Sequence, residues 1–144
     1  MTAHRKSFAS MVAWKLYGLP YIWGGDDPVK GFDCSGMVIE ILKSVGILPD
    51  KGDWTADGLY HKFKAHEQDV PCQGCLAFWG SEERKTHVEY CISQDYTIGA
   101  SGGGSRTTNM AEAIKQNAYI KVRPICRRIG RVWFVDPYRV EMCD

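Results

Sequence analysis

The spacing of apolar residues predicts three helices in the first half of the chain. Residues 5–17 place Phe8, Met11, Val12 and Leu16 at helical spacing, and Gly18-Leu19-Pro20 ends that pattern. Apolar residues crowd more than one face over residues 34–45, which is typical of a buried central helix. A third helix is expected over residues 53–66, with its apolar residues on one side.

The pattern changes after residue 74 to short runs that are typical of strands. These runs cover residues 75–79, 87–93, 96–100, 119–123 and 131–135, with one short helix predicted at 110–116. Helices first and strands afterwards, without βαβ alternation, indicate an α+β fold in which N-terminal helices pack on an antiparallel β-sheet. No linker or internal repeat interrupts the chain, so we expect one domain over residues 1–144.

Composition narrows the classes of partner. Among the 144 residues, 44% are hydrophobic and 24% are charged, and the net charge of +1 gives no reason to expect a nucleic acid as partner. No run of 18 apolar residues predicts membrane insertion. Because no signal-peptide core follows the N-terminus, we expect synthesis in the cytoplasm and reduced thiols in the six cysteines. We also expect a monomer.

Cys34 lies between a glycine-rich stretch, residues 21–25, and the predicted start of the central helix. A thiol there faces the positive end of the helix dipole, which favours the nucleophilic thiolate. Asp33 stands where an N-cap belongs, and His87 follows about fifty residues downstream in a strand pattern. Together Cys34 and His87 are the minimum set for a cysteine hydrolase, although a lone cysteine is more often a buried structural residue.

Three segments carry a resemblance to a known family. Tyr21-Ile22-Trp23-Gly24-Gly25 with Phe32-Asp33-Cys34-Ser35-Gly36 resembles the signature of the NlpC/P60 cysteine peptidases. Gly74 to Trp79 and Thr86 to Ile92 are similar to the strands that precede and carry that family's catalytic histidine. The resemblance covers about residues 8–105. It implies a papain-like fold and the cleavage of peptidoglycan stem peptides, commonly between D-glutamate and a diamino acid.

The resemblance also implies the catalytic roles. Cys34 would be the nucleophile and His87 the general base, which then acts as general acid for the leaving amine. The backbone N–H of Cys34 and the hydroxyl of Tyr21 would stabilise the oxyanion.

Substrate binding falls to the neighbours of the nucleophile. Asp33 and Ser35 resemble the family residues that hold the free α-amine of the substrate, and both groups can accept a hydrogen bond from an ammonium. Helix capping is the alternative role of this pair, and the two roles are compatible. Trp23 supplies an aromatic wall beside them.

Residue 99 departs from the family pattern. The family often has a histidine there that orients the catalytic base, whereas this chain has Gly99. Glu89 points to the same face of its strand as His87 and is a candidate orienting residue, but neighbours two apart stand about 7 Å from each other, which disfavours a direct bond. Thr97 or Ser101, a water or a backbone carbonyl are alternatives, and so is a weakened enzyme. We expect activity, because loss of the third member of such a set costs least.

Cys72 and Cys75 form a C-x-x-C motif. With Cys91, His61 or His66 this pair could bind zinc, and alone it could act as a redox pair. A structural pair is favoured because no second C-x-x-C exists and Cys75 belongs to a predicted strand. We therefore expect neither a metal nor an organic cofactor.

The expected function is hydrolysis of amide bonds in peptidoglycan peptides through a Cys34 thioester. An amidase or acyltransferase on the same scaffold, or a catalytically impaired domain that binds wall peptides, remains an alternative. Without a signal peptide, action on the cell wall would follow release or delivery, as for a phage endolysin, a virion protein or a secreted effector. A cytoplasmic enzyme that recycles wall peptides would also fit.

Overall fold

Four α-helices and eight strands form the described part of this computed structural model, residues 2–27, 31–50 and 52–141. The helices are α1 (Thr2–Leu16), α2 (Cys34–Ser44), α3 (Ala56–Phe63) and α4 (Met110–Gln116). The strands are β1 (Asp26–Asp27), β2 (Gly31–Phe32), β3 (Glu67–Gln68), β4 (Leu76–Gly80), β5 (Lys85–Cys91), β6 (Tyr96–Ser101), β7 (Tyr119–Pro124) and β8 (Val132–Val135).

Helix α2 is the buried helix that the apolar pattern predicts. Asp33 is its N-cap, and a carboxylate oxygen of Asp33 accepts a hydrogen bond from the backbone N–H of Gly36 at 2.7 Å. A Cβ at Gly36 would lie 2.2 Å from the carbonyl oxygen of Gly25, so only glycine lets the preceding loop press against the first turn. Apolar side chains on several faces of α2 are buried, among them Met37, Val38, Ile39, Ile41 and Leu42.

The other two N-terminal helices differ from their predicted bounds. Helix α3 begins three residues later than expected, because the Thr55 hydroxyl caps it by accepting from the Gly58 N–H at 3.0 Å. The predicted end of this helix at His66 is a 3₁₀ turn, Lys64–His66. Helix α1 begins earlier than expected and packs on α2 through Ala9, Ala13 and Leu16. No described helix combines the length and the hydropathy needed to cross a bilayer.

Six strands form one antiparallel sheet in the order β3-β8-β4-β5-β6-β7. Helices α1, α2 and α3 share a core with one face of the sheet, to which Phe78, Val88 and Tyr90 contribute. The opposite face holds a smaller cluster that includes Ala77 and Trp79. The predicted α+β fold with N-terminal helices on an antiparallel sheet is confirmed.

The C-terminal segment supplies an interior strand of this sheet. The sequence predicts a strand over residues 131–135 but not its position in the sheet. Strand β8 lies between β3 and β4, and Val135 pairs with Glu67 on one side and Leu76 on the other. Tyr138, just beyond β8, is buried and its hydroxyl lies 2.6 Å from that of Tyr90 in β5. Residues 132–138 are therefore part of the core rather than an appendage.

Replacement of Trp133 in β8 tests this placement. Trp133 is 5% exposed, so Trp133→Ala should lower the free energy of unfolding by about 3–5 kcal/mol, through lost burial and the cavity left behind. Urea denaturation followed by circular dichroism measures the effect. Ile129→Ala is the control, because Ile129 is 97% exposed and its removal should change little. Equal stability of the two variants would contradict an interior β8.

Candidate active site

Two cavities meet at Cys34, where α2 begins. The first, of about 190 Å³, contains both Cys34 and His87 and is called the catalytic cavity here; its other lining residues are Tyr21, Trp23, Thr86, Ala100, Ser101, Gly102, Gly103, Gly104 and Arg128. The second, of about 420 Å³, is called the Asp33 cavity and is lined by Tyr21, Trp23, Gly24, Asp33, Cys34, Ser35, Thr55, Ala56, Asp57, Arg84, Lys85 and Thr86. Every residue assigned to catalysis or substrate binding from the sequence lines one of them, except Glu89.

Cys34 is the first residue of α2 and is partly buried. Burial raises the pKa of its thiol to about 11; backbone hydrogen bonds at Val88 and Ser35 lower the pKa, and the carboxylates of Asp33 and Glu89 raise it. The expectation that the helix start favours the thiolate is therefore wrong for the free protein. Desolvation and two nearby negative charges outweigh the first-turn N–H groups, so the thiol is neutral at pH 7.

The Tyr21 ring is held by close packing beside the cavity that Cys34 lines. A Cβ at Gly103 would lie 2.3 Å from a ring carbon of Tyr21. Only glycine at this position therefore lets the backbone after β6 pack directly against the Tyr21 ring. The backbone N–H of Tyr21 donates to the Ala118 carbonyl at 3.0 Å. Burial, with the charges of Cys34 and Asp33, raises the pKa of Tyr21 well above its ordinary value. Its hydroxyl therefore remains a hydrogen-bond donor at any physiological pH.

Asp33 joins the helix to the glycine-rich loop. One carboxylate oxygen accepts from the Gly36 N–H and from the Ser35 hydroxyl, at 2.7 and 3.3 Å, and the other accepts from the Gly24 N–H at 3.2 Å. Burial raises the pKa of Asp33, although these hydrogen bonds lower it. The carboxylate thus caps α2 and still lines the Asp33 cavity, so structural and binding roles are compatible.

Glu89 contacts the imidazole of His87 directly. Its Oε2 lies 2.6 Å from Nε2 of His87, and both side chains are at least nine-tenths buried. The expectation that a spacing of two residues disfavours this bond is wrong, because about 7 Å separates the backbone positions and not the ends of two long side chains that lean together. Strand β5 therefore carries both groups.

A network of hydrogen bonds fixes the Glu89 carboxylate. The Thr97 hydroxyl donates to Oε1 at 2.5 Å, and the Arg123 guanidinium donates to Oε2 at 3.3 Å. Arg123 also donates to the Ser101 hydroxyl. Burial alone would raise the pKa of Glu89, but the hydrogen bond and charge of His87, the Thr97 hydroxyl and Arg123 together lower it. The carboxylate is therefore ionised at neutral pH.

Gly99 creates the space that Glu89 occupies. A Cβ at residue 99 would lie 2.4 Å from Cγ of Glu89 and 2.9 Å from its carboxylate carbon. The missing side chain on β6 and the long side chain on β5 are thus complementary. Thr97 and Ser101, considered from the sequence as direct partners of His87, instead bond Glu89 and Arg123.

The ionised carboxylate also selects the imidazole tautomer. A carboxylate only accepts hydrogen bonds, so Nε2 of His87 carries the proton and donates it to Glu89. In the neutral ring the basic atom is then Nδ1. The His87 ring also lies 5.7 Å from the Trp79 ring, which restricts its movement from the other side.

Arg123 and Trp79 were not identified from the sequence. Arg123 lies on β7 and pairs in register with Thr97 on β6, so its approach to Glu89 depends on the order of three strands. Trp79, next to last in β4, lies opposite His87 in the neighbouring strand. The alternation of residues along β7 predicts a strand at Arg123, but it does not indicate which residue Arg123 contacts.

The C-x-x-C motif lies away from both cavities. Cys72 and Cys75 have their sulfur atoms 2.7 Å apart, and Cys91 packs in the same cluster as Cys75. Within residues 2–27, 31–50 and 52–141, no group of three or more His, Cys, Asp or Glu side chains is placed to hold a metal ion. The sixth cysteine, Cys143, lies outside the described residues.

The chain is similar to proteins of one family. The model of the NlpC/P60 family matches residues 18–124. The "Probable endopeptidase YafL" of Escherichia coli (strain K12) is 48% identical over 115 residues, which are 75% of this chain and 45% of that protein. The "Gamma-D-glutamyl-L-lysine dipeptidyl-peptidase" of Bacillus subtilis (strain 168) is 39% identical over 75 residues, 51% of this chain and 23% of that protein. The chain spans less than half the length of these curated relatives.

A solved structure has the same fold over nearly the whole chain. The NlpC/p60 domain of the peptidoglycan hydrolase SagA superposes with a TM-score of 0.70 and is 26% identical. The superposition covers 91% of this chain and 97% of that domain.

An alanine at residue 99 should displace Glu89 from His87. Gly99→Ala should cost about 1–3 kcal/mol of unfolding free energy, as overpacked sites do, and should abolish the low-field proton NMR signal of the His87–Glu89 hydrogen bond. Gly104→Ala is the matched control, because a Cβ there meets nothing within 4 Å. In a Glu89→Ala background, Gly99→Ala should cost little further stability, because the two side chains compete for one space. A Gly99→Ala protein that keeps both stability and the signal would refute the packing.

Alkylation of Cys34 should depend steeply on pH. Because the folded pKa is raised to about 11, the thiolate fraction and hence the rate with iodoacetamide should rise about tenfold per pH unit from pH 7 to 10. Peptide mapping by mass spectrometry in a Cys126→Ser background measures this rate, with circular dichroism as a check on folding. A rate that reaches its plateau below pH 8 would instead indicate a preformed thiolate.

Proposed function

Because the chain belongs to the NlpC/P60 family, we propose that it is a cysteine endopeptidase that hydrolyses an amide bond in peptidoglycan peptides. The observation that carries the proposal is the placement of Cys34 and His87 in one cavity, with His87 held by an ionised Glu89. The names of the curated relatives, endopeptidase and dipeptidyl-peptidase, support this reaction class.

Acylation begins with a neutral thiol. As the Cys34 sulfur attacks the scissile carbonyl carbon, its proton passes to Nδ1 of His87, and Glu89 stabilises the imidazolium that forms. The oxyanion accepts hydrogen bonds from the Cys34 backbone N–H and the Tyr21 hydroxyl. Collapse breaks the C–N bond, the leaving amine takes the proton from His87, and a thioester remains on Cys34.

Deacylation repeats the same proton transfers with water as the nucleophile. Neutral His87 removes a proton from the water that attacks the thioester, and then returns it to the departing Cys34 sulfur. The products are a carboxylic acid and the free thiol, so the enzyme is restored without a cofactor. Arg123 and Thr97 act through Glu89 and are positioning residues in this scheme.

The Asp33 cavity is the proposed site of the acyl part of the substrate. Asp33 and Ser35 offer oxygen atoms to the free α-ammonium of an L-alanyl-γ-D-glutamyl type peptide, and Trp23 forms a half-exposed wall beside them. The bond cut is then the one between D-glutamate and a diamino acid. The relative named for a γ-D-glutamyl-L-lysine bond supports this assignment.

Other uses of this site are distinguished by their products. An amidase or acyltransferase would form the same Cys34 thioester but pass the acyl group to another acceptor. A catalytically impaired wall-peptide-binding domain was suggested by Gly99 alone; the bond between Glu89 and His87 favours the enzyme, since it supplies the orientation that residue 99 lacks. We still predict that the protein acts on the cell wall after release or delivery. We also still predict that it is a monomer.

Digestion of purified peptidoglycan peptides tests the proposal. The wild-type protein should release peptides with a new D-glutamate carboxyl end, and Cys34→Ala should release none, because no thioester can form. Mass spectrometry of the digests identifies the bond cut. Cys126→Ala is the control, since Cys126 is an exposed free thiol outside the catalytic cavity, and it should keep full activity. Product formation by Cys34→Ala, or acyl transfer without hydrolysis, would reject the proposal.

A further inference from the structure

The two cavities beside Cys34 differ in charge. Among the Lys, Arg, Asp and Glu residues described, Arg128 is the only one that lines the catalytic cavity. The Asp33 cavity instead contains the carboxylates of Asp33 and Asp57 as well as Arg84 and Lys85. The Lys85 ammonium is occupied, because it donates to the Ser81 carbonyl at 2.6 Å and lies over the Trp133 ring. A substrate that crosses Cys34 therefore meets a mixed set of carboxylates and cations, including Asp33 and Arg84, at one end, and the Arg128 guanidinium without a carboxylate at the other.

Arg128 is held beside the catalytic base by aromatic stacking. Its guanidinium lies over the Trp79 ring, 5.5 Å from the centroid, and that ring is 4% exposed and lies 5.7 Å from the His87 ring. A cation on a buried indole face is positioned without being neutralised. Within the part of the chain that the structure describes, no carboxylate forms a salt bridge or hydrogen bond with Arg128.

Arg128 also lines a third cavity, of about 480 Å³, in addition to the catalytic cavity. That cavity lies on the sheet face opposite the helices and is bordered by Trp79, Tyr96 and Phe134. Asp95 lines it too but makes no salt bridge with Arg128. Arg128 is thus the residue that the two cavities share, and aromatic side chains line the third cavity beside it.

We propose that Arg128 binds a carboxylate on the leaving-group residue of the substrate and thereby selects for it. This inference rests on the proposed function, which places the scissile amide between Cys34 and His87. Since His87 protonates the leaving nitrogen, the residue that carries that nitrogen lies on the His87 side, where Arg128 is the available charge. A guanidinium offers two parallel N–H donors that match a carboxylate, which suits it to this task.

Two sources could supply this carboxylate. One is the α-carboxylate of a C-terminal diamino acid, and the other is a carboxylate on its side chain, as in diaminopimelate. Both carboxylates have the same charge and the same hydrogen-bonding pattern, so Arg128 could bind either one. Substrates that carry only one of the two distinguish between them. The ammonium on Asp33 and the carboxylate on Arg128 would together set the direction in which the peptide lies in the groove.

Three synthetic peptides that share an L-alanyl-γ-D-glutamyl part test the inference. They end in L-lysine amide, which lacks a leaving-side carboxylate, in L-lysine with a free α-carboxylate, and in diaminopimelate amidated only at its α-carboxyl. We expect kcat/KM for at least one carboxylate peptide to exceed that for lysine amide by about tenfold or more, as charge-assisted hydrogen bonds give. The better of the two carboxylate peptides identifies the source.

Arg128→Gln should remove this preference. Its kcat/KM should fall about tenfold for the preferred carboxylate peptide and stay unchanged for lysine amide, because only the former loses a charge-assisted contact. Arg128→Lys should retain part of the preference. Arg127→Gln is the matched control, because Arg127 is an exposed neighbour that lines neither the catalytic cavity nor the third cavity, and it should behave as wild type.

The results separate this inference from the proposed function. Equal kcat/KM for all three peptides, or an equal loss on all of them in Arg128→Gln, would overturn the role of Arg128 and leave the peptidase standing. If none of the peptides is hydrolysed, calorimetric binding to Cys34→Ala still decides the point: tighter binding of carboxylate peptides that Arg128→Gln abolishes supports the inference, and its absence rejects it.

Discussion

The buried carboxylate of Glu89 is the constraint on which the site depends. A charge in this position carries a desolvation cost of several kcal/mol unless it is paired and hydrogen-bonded. His87, Thr97 and Arg123 meet that requirement from three neighbouring strands, and Gly99 leaves the side chain its room. Strand register, side-chain size and ionisation state are therefore coupled, and together they leave Nδ1 as the basic atom of His87, a residue that lines the catalytic cavity.

The neutral thiol of Cys34 follows from the same electrostatics. Carboxylates at Asp33 and Glu89 disfavour a thiolate between them, and partial burial strengthens the effect. Asp33 also caps helix α2, which begins at Cys34, and Glu89 also holds His87. Both carboxylates therefore have structural roles besides their effect on the thiol. In the proposed reaction the proton is therefore transferred as the sulfur attacks, rather than in advance to form a thiolate–imidazolium ion pair.

The fold brings Asp33 and Arg128 to the two cavities beside Cys34 from distant parts of the chain. Asp33 precedes α2, whereas Arg128 follows β7 and rests on Trp79 in β4. The sequence did predict the residues near Cys34, since a glycine-rich loop, an N-cap and an apolar helix are signals carried by neighbouring positions. Arg128 had no such signal, because nothing in its neighbouring positions relates it to His87.

By itself the sequence determined the α+β class, the helix that begins at Cys34, the cap at Asp33 and the strand that carries His87. Each of these depends on periodicity or capping within a few residues. Contacts across the sheet place β8 inside it, bring Glu89 to His87 and add Arg123 to the Glu89 carboxylate. Strand order and the conformations of long side chains depend on contacts between distant segments, which no local pattern encodes.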